Sequence, residues 1–228
     1  MAEVAPTVLV NLQWALAAIG VGFVFGLVLG WARVSRFVVL RGLSRGYTEF
    51  IRGTPLLIQI LAVFFFFPAL NRALEGLGMD SPLNPTDVQR IVIALILNTS
   101  AYQAEIFRAG FQSIASGQIE AAVSIGMTKL QTMRHIILPQ SLRIMAPPLT
   151  NEYIIMFKDA TPLAFVVAVP ELVRVGVRFG QQTQAVLESY LLTAAVFLAV
   201  SLILTAFLRS LERRFAVPGL GISVRAGA

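Results

Sequence analysis

The side chains able to do chemistry in this chain are polar and ionisable groups set into long apolar runs. One run, from Val88 to Phe107, carries Asn98, Tyr102 and Glu105 at spacing i, i+4, i+7, which places them on one helical face. Arg108 follows three residues after Glu105, within reach of an ion pair. A second run carries Asn151, Glu152 and Lys158, with Asn151 and Lys158 seven residues apart on one face. Ionisable groups inside a bilayer cost about 2.5–3.5 kcal/mol each on insertion scales, so they turn toward a bundle interior or toward water. Their chemistry is recognition. Lys158 offers a cation for a carboxylate, Glu152 an acceptor for an ammonium group, and together they suit a zwitterionic solute. Pro147 and Pro148 are expected to interrupt the helix just before them, freeing backbone groups for the same purpose. Each group also has a structural reading: Asn98 bonding between helices, Glu105 and Arg108 as a fixed pair, Lys158 reaching out to the membrane surface. Thr54 ahead of Pro55 reads as an N-cap and first-turn pair, and Gln59 as a candidate for lining a path.

Catalysis lacks its reagents. The chain has no cysteine, and its lone histidine, His135, has no partners for a metal and reads as a solvated helix residue. A phosphate-cradling G-x-x-x-x-G-K-[ST] loop and a G-x-S-x-G nucleophile turn are both absent from the sequence. The chain is therefore read as neither an ATPase nor a hydrolase, with no cofactor or metal of its own.

The elements that must position these groups are membrane spans. Of 228 residues, 57% are hydrophobic and 13% charged, against about 25% charged in a typical soluble domain. Five spans are readable, at about 8–31, 55–70, 88–107, 145–157 and 190–208. The first has no basic residues ahead of it and is too long for a secretory signal, so it reads as retained. Segments 32–54, 108–144 and the tail hold thirteen of the eighteen Lys and Arg, whereas the opposite loops hold four. That asymmetry places the N-terminus outside and the C-terminus in the cytoplasm. The net charge of +6 follows from this topology rather than from nucleic-acid binding.

The cytoplasmic loop at about 116–138 is written as two short helices. Gly117 reads as an N-cap, with Glu120 at the third helical position beside the free N–H groups. Ala121 and Ala122 favour helix and leave room for a close surface, and Gly126 can end the helix in a left-handed conformation. Thr128-Lys129-Leu130-Gln131 fits a capping box that opens a second helix, which Pro139 is expected to limit. By pattern alone this is either an amphipathic connector or a docking helix.

The order Glu120-Ala121-Ala122, Gly126, Ile137-Leu138-Pro139 resembles the EAA loop of the permease subunits of bacterial ABC importers. Arg52-Gly53-Thr54-Pro55-Leu56-Leu57-Ile58-Gln59, Ser100 to Gly110, and Pro147-Pro148 followed by Asn151 resemble the polar amino-acid branch of that family, over about 49–163. The resemblance implies an all-α polytopic membrane protein: one permease domain over 1–228, five transmembrane helices and a cytoplasmic coupling helix. Gly117, Gln118, Glu120, Ala121, Ala122, Gly126 and Met127 would then contact an ATPase. Thr54, Gln59, Asn98, Tyr102, Asn151, Glu152, Met156, Lys158 and Thr161 would be candidates for the substrate path. Implied partners are ABC ATPase subunits that bind ATP and Mg, a second permease subunit (identical or paralogous), an extracytoplasmic solute-binding protein and a polar amino acid, in the inner membrane of a bacterium. An opine or similar metabolite is an alternative substrate, and a self-contained carrier or channel the rival class. One departure stands out: the family commonly has Thr-Ser-Leu or Ser-Ser-Leu after the lysine, whereas this chain has Asp159-Ala160-Thr161-Pro162-Leu163. Pro162 removes a possible hydroxyl ligand there.

Overall fold

The structure, a computed structural model, describes residues 4–79, 83–166 and 172–215, and only the backbone course within 4–7, 160–166 and 211–215. Its helices are α1 (Val4–Arg33), α2 (Val38–Arg52), α3 (Leu56–Gly76), α4 (Asp87–Gln112), α5 (Ser116–Ser124), α6 (Lys129–Thr132), α7 (Leu138–Val166), α8 (Leu172–Thr183) and α9 (Val186–Phe215). A π-helical turn, Met133–Ile137, joins α6 to α7. No strand occurs among the described residues.

Three described helices are long and apolar enough to cross a membrane: Val8–Arg33, Leu56–Gly76 and Val186–Ser210. α4 and α7 are as long, at 26 and 29 residues, but more polar. Their polarity has a packing cause, because α4 is the central helix. Ile91, Ala94, Leu95, Asn98, Thr99, Ala101, Gln103, Ala104 and Phe107 along it are all buried.

α1 and α4 meet through a ladder of small residues. A Cβ placed on Gly22 would lie 2.2 Å from Thr99, on Gly26 2.8 Å from Gln103 Cβ, and on Gly30 2.6 Å from Phe107 Cβ. Each clash is too close to exist, so only glycine at every fourth position admits this approach. Residue numbers rise together along both helices, so the two run parallel. Phe23 closes the contact edge-on to Phe107, ring centroids 5.1 Å apart. α3 runs antiparallel to α4, with Gln59 bonded to Asn98 and the Arg90 guanidinium over the Phe64 ring. α7 is antiparallel to α4 as well, since Gly110 faces Met145 while Asn98 and Glu152 share a cavity further along.

Several expected boundaries differ. The segment between spans one and two is mostly helix α2, which is fastened to the bundle by Ser44 Oγ donating to Leu29 O (2.8 Å) and Tyr47 Oη donating to Leu97 O (2.8 Å). Pro139 does not limit a helix. The rod from Lys129 continues through it, because the π turn closes Leu138 N onto Met133 O and absorbs the proline's missing donor. Pro147 and Pro148 do not break α7 either, which remains helical to Val166. The polar stretch 178–183 belongs to α8. α8 folds back on α9, with Gly176 against Thr193 and Gly180 against Ser189.

Candidate functional site

The corner between α2 and α3 is the first wall of the site. Thr54 does not cap α3, as expected from its place ahead of Pro55. The N-cap is Pro55, and Thr54 Oγ1 turns back to donate to the last carbonyls of α2, Phe50 O at 3.1 Å and Ile51 O at 3.2 Å. Gln59 is buried behind this corner. Its Nε2 donates to Ile51 O (2.6 Å), Thr54 O (2.9 Å) and Thr54 Oγ1 (2.9 Å), and its Oε1 accepts from Asn98 Nδ2 (3.0 Å). One carboxamide therefore fixes the corner and aims Asn98. Such a buried amide is held because leaving it unpaired would cost about 1–3 kcal/mol.

In front of that corner lies a cavity of about 430 Å³. Arg52, Thr54 and Pro55 line it from the corner, Asn98 and Tyr102 from α4, and Glu152, Ile155, Met156 and Asp159 from α7. The volume falls in the range of small-molecule sites, roughly 300–1,000 Å³. Its charged groups are one guanidinium and two carboxylates. Arg52 sits over the Tyr102 ring, 5.3 Å from the centroid, so the ring face holds the cation from below.

The sequence-derived candidates separate into those inside this cavity and those outside it. Thr54, Asn98, Tyr102, Glu152 and Met156 line it, and Gln59 supports it from behind. Asn151 is exposed and does not line it. Lys158 faces a different, largely apolar groove, shared with Tyr190, Thr193 and Phe197 of α9. The expected pairing of Lys158 with Glu152 around one solute is therefore not met. A helix advances about 100° per residue, and the six steps from Glu152 to Lys158 turn the two side chains to different faces. Thr161 lies on the part of α7 where only the backbone is described, and so does Pro162. Arg52 and Asp159 are the cavity groups that the sequence reading missed. Arg52 was counted as a topology charge and as part of a family motif, and Asp159 only as part of a departure from a familiar motif. Their signal was spacing, since Asp159 lies seven residues after Glu152 and hence on its face.

At the neighbouring end of α4, Glu105 pairs with Arg108 and also accepts from Arg33 Nη2 at 3.2 Å. Arg33 Nη1 donates to Thr48 Oγ1 at 3.0 Å, so this node ties α1, α2 and α4 together.

The loop helix starts earlier than expected. Its N-cap is Ala115 rather than Gly117, and Gly117 falls inside α5, where an added Cβ would meet open space. Glu120 accordingly sits in the second turn, exposed. Gly126 ends the helix with φ +82°, and Met127 N bonds back to Ala122 O at 3.0 Å. The Thr128 capping box is formed on both sides, with Gln131 N donating to Thr128 Oγ1 (3.3 Å) and Thr128 N to Gln131 Oε1 (2.8 Å). Gln118, Glu120, Ala121, Val123, Ile125 and Leu130 are exposed, whereas Ala122 is buried and Met127 half-buried. Val123, Ile125 and Leu130 are the large apolar side chains exposed on this loop.

Residues 22–217 match the family described as binding-protein-dependent transport system inner membrane component. The chain belongs to that family. Among the similar proteins of this permease family is a probable amino-acid ABC transporter permease, YckA, of Bacillus subtilis, 37% identical over 86% of this chain and 81% of that protein. The glutamine transport system permease GlnP of Escherichia coli is 36% identical over 86% of this chain and 85% of its own length. A solved structure of an amino acid ABC transporter with histidines superposes with a TM-score of 0.79 at 32% identity, covering 93% of this permease and 94% of that chain. The permease is thus a multi-pass inner-membrane component of a binding-protein-dependent transport system.

Proposed function

We propose that this permease carries a polar amino acid through the cavity between the α2–α3 corner, α4 and α7. The observation that carries the reading is the composition of that cavity, in which Arg52, Glu152 and Asp159 line one space beside the amide of Asn98. A guanidinium meets an α-carboxylate in planar, two-bond geometry, and carboxylates receive an ammonium group or a cationic side chain. Relatives named as amino-acid permeases support the same substrate class.

In this reading α1, α3, α4, α7 and α9 are the five spans, with the N-terminus outside and the C-terminus cytoplasmic. The parallel course of α1 and α4 and the opposite course of α3 and α7 agree with that alternation. α5 is the coupling helix. Its Val123, together with Ile125 just after it and Leu130 of α6, seats in an ATPase subunit that binds ATP and Mg. A second permease subunit completes the path, and a solute-binding protein delivers substrate from outside.

The test reconstitutes the complex in liposomes and asks which amino acid, loaded on the binding protein, stimulates ATP hydrolysis. Glu152→Gln and Asp159→Asn should each lower uptake about tenfold or more, the range for losing a hydrogen bond to a charged group. Wild-type uptake in both variants would remove the cavity from the path.

A further inference from the structure

The rod from Lys129 to Val166 has a soft joint between α5 and the cavity. Below the joint stand Thr128 and α6, to which the Gly126 turn delivers α5. Above it α7 carries Glu152, Met156 and Asp159 at the cavity wall. The joint is the π turn Met133–Ile137, where Leu138 N reaches back five residues to Met133 O. Pro139 follows immediately and supplies no N–H to the carbonyl four residues before it. Wide, under-bonded turns of this kind are where helices bend. A push on α5 that enters the rod only through α6 would be absorbed there.

Among the described residues, a side-chain hydrogen bond joins α5 to the rod above the joint. Gln140, above the π turn, donates from Nε2 to Gln118 Oε1 of α5 at 2.7 Å, across 22 residues of chain. The same nitrogen donates to Ile136 O, inside the turn, at 3.0 Å. We propose that Gln140 is a positioning residue that carries the displacement of α5 past the π turn directly into α7, so that movement of the docked ATPase reaches the cavity wall. This rests on the reading of α5 as the ATPase-docking helix. Gln140 touches neither substrate nor nucleotide; it acts through Gln118.

The experiment uses the full complex of permease, ATPase and binding protein in liposomes, with uptake measured per ATP hydrolysed. Gln140→Leu should keep the ATPase bound and lower that ratio about two- to tenfold, the span one such hydrogen bond supports, and Gln118→Leu should lower the ratio of the assembled complex by a similar factor. The double variant should be no worse than either single one, because both remove the same contact. Gln118→Glu combined with Gln140→Lys should restore the ratio at low salt and lose it at high salt, which a merely structural role would not do. A wild-type ratio in the single variants, additive losses in the double variant, loss of ATPase binding in Gln140→Leu, or no rescue by the charged pair would each overturn the proposal. The docking reading is checked separately by Ile125→Asp, which should release the ATPase; retention there, with the glutamine effects intact, would fault that reading and not the strap.

Discussion

Single residues in this permease act mostly by aiming one another. Gln59 is the clearest case, since one buried carboxamide holds two carbonyls of the α2–α3 corner and orients Asn98 at the cavity. Replacing it by leucine leaves Asn98 Nδ2 and Ile51 O without this partner. The expected loss is about 1–3 kcal/mol of stability, read as a lowered unfolding temperature in detergent, together with weakened uptake. If Gln59→Leu matched wild type in both measurements, the corner would be held by something else. Arg52 makes a different case, because its contact is with the Tyr102 face rather than with a carboxylate. Tyr102→Leu should weaken substrate affinity more than it lowers the amount of folded permease, since a cation over a ring contributes about 0.5–2 kcal/mol. Equal loss of both would make Tyr102 a packing residue only. Asn98, Tyr102 and Glu152 were visible in the sequence because a polar group in an apolar run advertises itself. Arg52 was not, because an arginine at the end of a span is also what topology alone requires.

At the scale of helices, two glycine features set how elements meet. The ladder Gly22, Gly26 and Gly30 lets α1 lie against α4 closely enough that any Cβ collides with Thr99, Gln103 or Phe107. Gly26→Val should therefore force the pair apart at a cost of about 1–3 kcal/mol, seen as reduced thermal stability of the purified permease. Gly20→Ala is the control, because a Cβ there meets nothing within 4 Å. An unchanged melting temperature in Gly26→Val would show that this contact does not form. Gly126 works through backbone conformation, since its φ of +82° suits glycine and strains other residues by about 1–2 kcal/mol. Gly126→Trp should leave the subunit inserted but lower uptake per ATP hydrolysed, and wild-type coupling in that variant would argue against a rigid α5. The capping box at Thr128 and the glycine stop at Gly126 were legible because caps are local chemistry. The start of α5 and the continuity of the helix through Pro139 were not. The first depends on how Ser113 and Ala115 leave α4, and the second on the π turn, neither of which local pattern specifies.

For the whole molecule, the proposed assembly makes a demand that a self-contained carrier would not meet. The purified permease alone in liposomes should move no amino acid down a gradient, and transport should appear only when the ATPase, ATP and the loaded binding protein are supplied. Gradient-driven uptake by the permease alone would exclude the proposal. The sequence by itself determined that the chain is helical, that it lives in a membrane, and that it carries a capped helical loop. Those properties follow from hydropathy, from helical periodicity and from local hydrogen bonding, all of which act over a few turns. Only the tertiary structure decided which polar groups share a space. It put Arg52 and Asp159 into the cavity, turned Lys158 out of it, buried Gln59 behind it and joined Gln118 to Gln140. These outcomes depend on the phase of each helix and on how closely neighbours approach, and such long-range geometry is fixed by packing between elements far apart in the chain.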